Sequence, residues 1–188
     1  LAATSNREKR QGAGAPLQNV VVWPYPCMPY PYEFMSDMAS LAALEAILED
    51  PHSGIDKPAA FLLETVQAEG GVHVAPAEWL RGLRSLCDRH GILLICDDIQ
   101  VGCGRTGPFF SFERAGIVPD LVTLSKSISG FGGPMSLLLI KPEYDLWQPG
   151  EHSGTFRGFQ LSFVGATAAL GVRATAEFEH QQQANERF

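Results

Sequence analysis

GILLICDDIQVGCGRTGPFFSFERAGIVPDLVTLSKSISG, residues 91–130, contains two short apolar runs, 92–96 and 121–124, and each stops at a polar group that chemistry can use. The first ends at Asp97 and Asp98, the second at Ser125 and Lys126. An unbroken apolar run of this length between turn signals predicts a strand buried on both faces of a parallel sheet. In open α/β sheets, ligands gather at the carboxyl ends of such strands. The stretch therefore predicts a carboxylate and an amine delivered to one edge of one sheet.

Upstream, the run 59–63 predicts another buried strand, ending at Glu64. A loop, ETVQAEGGVHVAP, carries a second acid at Glu69. Pro76 suits the first turn of a helix, and Trp79, Leu80, Leu83, Leu86 and Cys87 keep one face apolar as far as Gly91, a C-cap. Three strands thus end in order at Glu64, Asp97 and Lys126. Downstream, 135–140 predicts a fourth strand. The small-residue string 160–179 predicts one long helix whose Gly and Ala favour close packing.

Nearer the start, Met38, Leu41, Leu44 and Leu48 mark an amphipathic helix over 36–49, capped by Ser36 or Asp37. Residues 20–23 read as a short strand. The prolines of WPYPCMPYPYEF forbid helix or central strand, and residues 1–19, with Gly12, Gly14 and Pro16, read as loop. The order strand–helix–strand predicts an α/β fold with a mainly parallel sheet. The expected partition is a loop-rich opening segment over 1–36, the central part of a ligand-binding domain over 37–158, and a helix over 159–188 leading towards a further domain. The chain does not begin with Met and stops inside a predicted helix, so a central piece of a longer protein is expected.

Composition narrows the function classes. A net charge of −7, with 14 basic residues scattered except for Arg7, Lys9 and Arg10, offers no footprint for nucleic acid or an anionic membrane. No apolar run reaches the length of a membrane span and no leader is visible. Cys27, Cys87, Cys96 and Cys103 show neither CxxC nor zinc spacing and read as reduced thiols, which points to the cytoplasm. The five His residues form no ligand set, so no metal is expected.

Lys126, placed at a strand end after a serine and before glycines, departs from the surface default of lysine. A half-buried lysine has a depressed pKa, and the neutral amine attacks a carbonyl. Paired with a strand-end Asp, it suits an enzyme of pyridoxal phosphate, which needs a lysine for its carbonyl and an acid for its pyridine nitrogen. A rival reading makes Gly102, Gly104 and Gly107 the phosphate loop of a non-catalytic, doubly wound nucleotide-binding domain. Their spacing is not GxGxxG, and that reading leaves Lys126 without a purpose.

The string 94–107, LICDDIQVGCGRTG, resembles the signature of the class III aminotransferases, which are fold-type I pyridoxal phosphate enzymes. The resemblance extends through ETVQAEGG (64–71), LSK (124–126) and GTFRG (154–158). It implies the large domain of that fold, incomplete here, with pyridoxal 5'-phosphate as cofactor. Lys126 matches the lysine that binds the cofactor and moves the substrate proton, Asp97 the partner of the pyridine nitrogen, Ile99 the aliphatic residue on a ring face, and Gln100 the amide on the phenolic oxygen. Thr155 resembles a phosphate-binding threonine supplied by a neighbouring subunit, which implies a homodimer or larger assembly with shared sites. Glu69 matches an acid that switches between substrates with and without an α-carboxylate, and Glu64 a residue of the site wall. Asp98 stands where the family usually has Glu, and its role stays open.

L-Glutamate and 2-oxoglutarate are the implied substrate pair, with an amino-aldehyde as the other. Residues 124–158 and the proline-rich stretch resemble the branch that aminates L-aspartate 4-semialdehyde to L-2,4-diaminobutyrate in ectoine biosynthesis. Another ω-aminotransferase and a glutamate-1-semialdehyde aminomutase are the alternatives within the family.

Overall fold

A computed structural model describes residues 3–4, 8–10, 19–26 and 37–185. Of the expected loop over 1–19, residues 8–10 are helical instead, and residues 11–18, most of the proline-rich stretch, Cys27 and the Ser36 cap lie outside the described residues.

Four strands form one sheet in the order β1 (Ala60–Leu63), β4 (Leu93–Asp97), β5 (Leu121–Ser125), β6 (Ser136–Ile140). β1, β4 and β5 run parallel, with Leu63 beside Cys96 and Asp97 beside Thr123. β6 returns antiparallel along β5, pairing Ser125 with Ser136. The sheet is therefore mainly parallel, with an antiparallel edge that short connections allow. The loop after β1, expected to be irregular, folds into a small antiparallel hairpin, β2 (Val66–Gln67) with β3 (His73–Val74).

Helix α1 (Asp37–Glu49) packs on helix α2 (Ala77–His90), which covers one face of the sheet. Trp79, Leu80, Leu83, Leu86 and Cys87 are all buried, as their spacing predicts. A Cβ on Gly82 would lie 2.5 Å from Leu41 Cδ1, so the glycine is what lets the two helices approach. Pro76 is the N-cap residue, one position earlier than expected, and Gly91 ends α2 at φ 64° with its N–H on the Cys87 carbonyl.

Three expectations are corrected. Residues 20–23 form no strand; Val21 and Val22 are exposed, while Trp23 packs on the core and donates to Ser40 Oγ at 3.1 Å. The central strands are not buried on both faces. Leu94, Cys96, Val122 and Leu124 are buried beneath α2, but the alternate residues of β4 and β5 are only partly covered, and Leu62, Leu138 and Leu139 stay 41–48% exposed. The long helix is two, α3 (Gln160–Arg173) and α4 (Ala176–Asn185). The break has a local cause: Thr175 Oγ1 accepts from the Phe178 N–H at 3.3 Å, the N-cap geometry that starts a new helix.

The small residues of α3 do favour close packing. A Cβ on Gly165 would lie 3.0 Å from the Ser129 carbonyl oxygen, and one on Gly130 would lie 2.5 Å from Ala169 Cβ. Ser162 Oγ also donates to the Pro134 carbonyl at 2.9 Å. Helix α3 is thereby seated on the single 3-10 turn, Lys126–Ser129, that follows β5.

Candidate active site

Because β1, β4 and β5 are parallel, their carboxyl ends share one edge, and Glu64, Asp97 and Lys126 are brought to it together. Lys126 leaves its strand at φ 52°, a left-handed conformation uncommon for a side chain of this size and typical of constrained functional positions. Its ammonium donates to Gln100 Oε1 at 2.6 Å. Asp97 Oδ1 accepts from the Ile99 N–H at 3.0 Å, which orients the carboxylate at the strand end. Ile99 and Gln100 are half-buried in the turn that follows.

Glu64 is partly buried, and its carboxyl lies above the usual carboxylate range. Burial is the main cause, the negative charges of Asp97 and Glu69 add to it, and Lys126 opposes it. That mutual influence joins Glu64, Glu69, Asp97 and Lys126 into one electrostatic cluster, although Glu69 itself is exposed on the hairpin loop. Lys126 is exposed in this chain, so the half-buried amine expected from its position is not what the fold provides.

Thr155 is not brought to this cluster. It lies on a wholly exposed stretch, 144–160, whose Phe156 is 90% exposed, and among the described residues no hydrogen bond ties it to Lys126, Asp97 or Gln100. The glycines of 102–107 do not make a nucleotide loop. Gly102 closes over Asp98, and the loop leads to the 3-10 turn Ser111–Ala115 rather than to an α-helix N-terminus.

Two buried carboxylates carry more of the architecture than their sequence suggests. Asp98 is 1% exposed and accepts from both the N–H and the hydroxyl of Ser111; burial nonetheless pushes its carboxyl up. Asp120, at the opposite end of the strands, accepts from Arg84 at 2.8 Å, Lys141 Nζ at 2.6 Å and the Leu94 N–H at 2.8 Å. A charged residue directly before an apolar run was the one available signal for Asp120; nothing in the sequence linked Asp98 to Ser111.

One His-carboxylate group, Glu45, Glu49 and His90, is present among the described residues. Arg89 already occupies Glu45 Oε1 at 2.5 and 3.0 Å and holds that carboxyl below its usual range, so the group reads as an ion-pair cluster joining α1 to the end of α2.

The family model for aminotransferase class III matches residues 1–188. The diaminobutyrate–2-oxoglutarate transaminase of Bordetella parapertussis is 56% identical over all of this chain, which spans 42% of that protein. The enzyme of the same name from Streptomyces anulatus is 60% identical over 90% of the chain and 39% of its own length. Among solved structures, an acetylornithine aminotransferase from Elizabethkingia anophelis superposes with a TM-score of 0.65 at 34% identity, covering 78% of this chain and 35% of that one. Ornithine δ-aminotransferase of Plasmodium falciparum gives 0.63 at 37% identity, over 70% and 34%. The chain thus spans about two fifths of the curated relatives it matches.

Proposed function

The chain belongs to the class III aminotransferases, and from that premise we propose that the whole protein transfers the amino group of L-glutamate to L-aspartate 4-semialdehyde, giving L-2,4-diaminobutyrate and 2-oxoglutarate. The observation that carries the site assignment is the 2.6 Å contact of Lys126 with Gln100, beside Asp97 on the adjacent parallel strand. The names of the relatives at 56% and 60% identity support the choice of substrates.

The residues present fit pyridoxal 5'-phosphate, the cofactor of this family. An amine, an amide and a carboxylate converge on one sheet edge, and Thr123 Oγ1, buried and without a hydrogen-bond partner, lies in register beside Asp97. When bound, the cofactor supplies an electron sink for negative charge at the substrate carbon. Asp97 would hold a protonated ring nitrogen as its counter-ion, in a geometry already set by the Ile99 N–H. Gln100, whose Oε1 is engaged by Lys126, keeps its NH₂ for a phenolic oxygen. Ile99 would pack on a ring face.

Lys126 Nζ would supply the amine that holds the cofactor and the base that moves a proton at the substrate carbon. Its exposure within this chain leaves the amine accessible to substrate. Glu69 and Glu64 would form the substrate-selecting side, Glu69 pairing with an arginine when the reacting carbon of the substrate bears no carboxylate. Thr155, on its exposed loop, would reach the phosphate of a neighbouring subunit, which makes the working unit a homodimer or larger assembly. The exposed apolar residues Leu146, Trp147 and Phe156 around it support that assignment. Among the described residues no helix is long and apolar enough to cross a membrane, and the buried free thiols suit the reducing cytoplasm.

The test is direct. Full-length protein supplied with pyridoxal 5'-phosphate is expected to acquire a visible absorbance band that Lys126→Ala abolishes, and to cycle that band with L-2,4-diaminobutyrate and 2-oxoglutarate. A protein left colourless by the cofactor would refute the site, and a band indifferent to the diamine would refute the substrate.

A further inference from the structure

Asp98 follows Asp97 but points into the interior, at 1% exposure. Its Oδ2 accepts from the Ser111 N–H at 3.0 Å and its Oδ1 from the Ser111 hydroxyl. The same hydroxyl accepts from Thr65 Oγ1 at 2.5 Å. Thr65, fully buried, follows Glu64 and opens the hairpin whose loop carries Glu69. Its carbonyl is held by the Tyr25 hydroxyl at 2.9 Å, the Ala75 N–H at 3.0 Å and Arg114 at 3.2 Å. The edge that would select substrate is thus tied, by a buried chain of two hydroxyls, to the strand that carries Asp97.

The chain has a fixed polarity. Thr65 donates to Ser111 and Ser111 donates to Asp98, so it must end on an acceptor that also receives the Ser111 N–H. An ionised carboxylate, which only accepts, meets both requirements. An asparagine does not. With its NH₂ towards the Ser111 N–H, two donors meet. With the NH₂ towards the Ser111 hydroxyl, that hydroxyl turns to donate to Thr65, and the Thr65 proton loses its acceptor.

We propose that Asp98 is a positioning residue for substrate selection: through Ser111 and Thr65, its carboxylate fixes the loop bearing Glu64 and Glu69 against the strand that bears Asp97. The proposal rests on the reading of Glu69 as the substrate switch. It also gives a use to the shorter acid at this position. The Asp98–Gly102 turn closes directly over the carboxylate, where a Cβ on Gly102 would lie 2.9 Å from Asp98 Cβ and 3.1 Å from Oδ2, so the side chain is confined from above and directed at Ser111.

The experiment uses full-length, cofactor-loaded enzyme carrying Asp98→Asn, Thr65→Val, Thr65→Ser or Glu69→Ala. Single-turnover rates are taken separately with L-glutamate and with L-2,4-diaminobutyrate. Asp98→Asn and Thr65→Val are expected to change the ratio of the two rates about 5- to 10-fold, the scale of one lost buried hydrogen bond, with the cofactor dissociation constant unchanged. Thr65→Ser, which keeps the hydroxyl, restores the ratio. In the cofactor-free protein, amide exchange over 64–75 speeds up in the first two variants and not in Thr65→Ser.

An unchanged ratio in both Asp98→Asn and Thr65→Val overturns the proposal. So does an equal loss in both half-reactions with weakened cofactor binding, which would make Asp98 a support of Asp97 instead. Glu69→Ala separates the two levels: if it shifts the ratio while the Asp98 and Thr65 variants do not, only the positioning role falls, and if it leaves the ratio unchanged, the switch and the proposal fall together. Should Asp98→Asn fail to fold, the Thr65 pair, differing in the hydroxyl it keeps or loses, decides alone.

Discussion

Nζ of Lys126 donates to Oε1 of Gln100 at 2.6 Å, linking the turn that follows β4 to the first residue beyond β5. The bond spans 26 residues of sequence and aims the lysine along the sheet edge towards Asp97's strand. It also gives Lys126 a partner at the residue where the backbone turns to φ 52°.

Replacing Gln100 with Leu removes that acceptor and leaves the lysine free to sample other rotamers. A hydrogen bond to a charged group is worth about 1.5–3 kcal/mol when shielded, and this exposed one is expected at the low end. kcat/KM of the full-length enzyme should fall about tenfold. Steady-state kinetics with both amino donors would check it, and unchanged kinetics would show that the lysine needs no anchor.

Asp120 faces Arg84, Lys141 and the Leu94 N–H, and although its burial works the other way, these contacts hold its carboxyl below the usual range. A depressed carboxylate contributes stability above its ordinary value, about 3.9, and loses it as pH falls through the depressed value. Asp120→Asn should therefore cost about 2 kcal/mol at pH 7 and flatten the acid limb of stability below pH ~4. Urea unfolding of the full-length protein across that range measures both.

Gly165 lies where α3 meets the turn after Lys126. Alanine there would press on Phe131 and the Ser129 carbonyl, the latter at 3.0 Å. Overpacking of this kind costs about 1–3 kcal/mol. Because the strain falls on the Lys126–Ser129 turn, both thermal stability and the rate of cofactor attachment should drop. A variant with lowered stability but normal attachment would uncouple α3 from the lysine.

Burial pushes the Cys87 and Cys96 thiols up to about 12. Neither forms thiolate near neutral pH, so alkylating reagents should leave both unlabelled in native protein at pH 8 and modify them only on unfolding. Peptide mapping after a short iodoacetamide pulse distinguishes the states.

Much of the scaffold was legible in the chain. The runs ending at Glu64, Asp97 and Lys126, the apolar face of α2 and its Gly91 cap rest on short-range periodicity and φ preferences, which neighbouring residues decide among themselves. The convergence of those three ends followed from parallel pairing, since parallel strands finish at one edge.

Tertiary structure decided what depends on distant partners. β6 pairs antiparallel because of where the chain returns after the Lys126 turn, not because of its own sequence. The helix break at Thr175 needs a side chain to choose capping over continuation. Thr65, Asp98 and Ser111 are each unremarkable in sequence and become one network only when strands β1 and β4 lie side by side, so that a buried acid finds its donor Ser111 13 residues away and Ser111 in turn accepts from Thr65, 46 residues away from it. That Lys126 and Asp97 stand at neighbouring strand ends was readable from the sequence alone; the exposure of Lys126 and the absence of Thr155 from its cluster were set by packing, which no local pattern encodes.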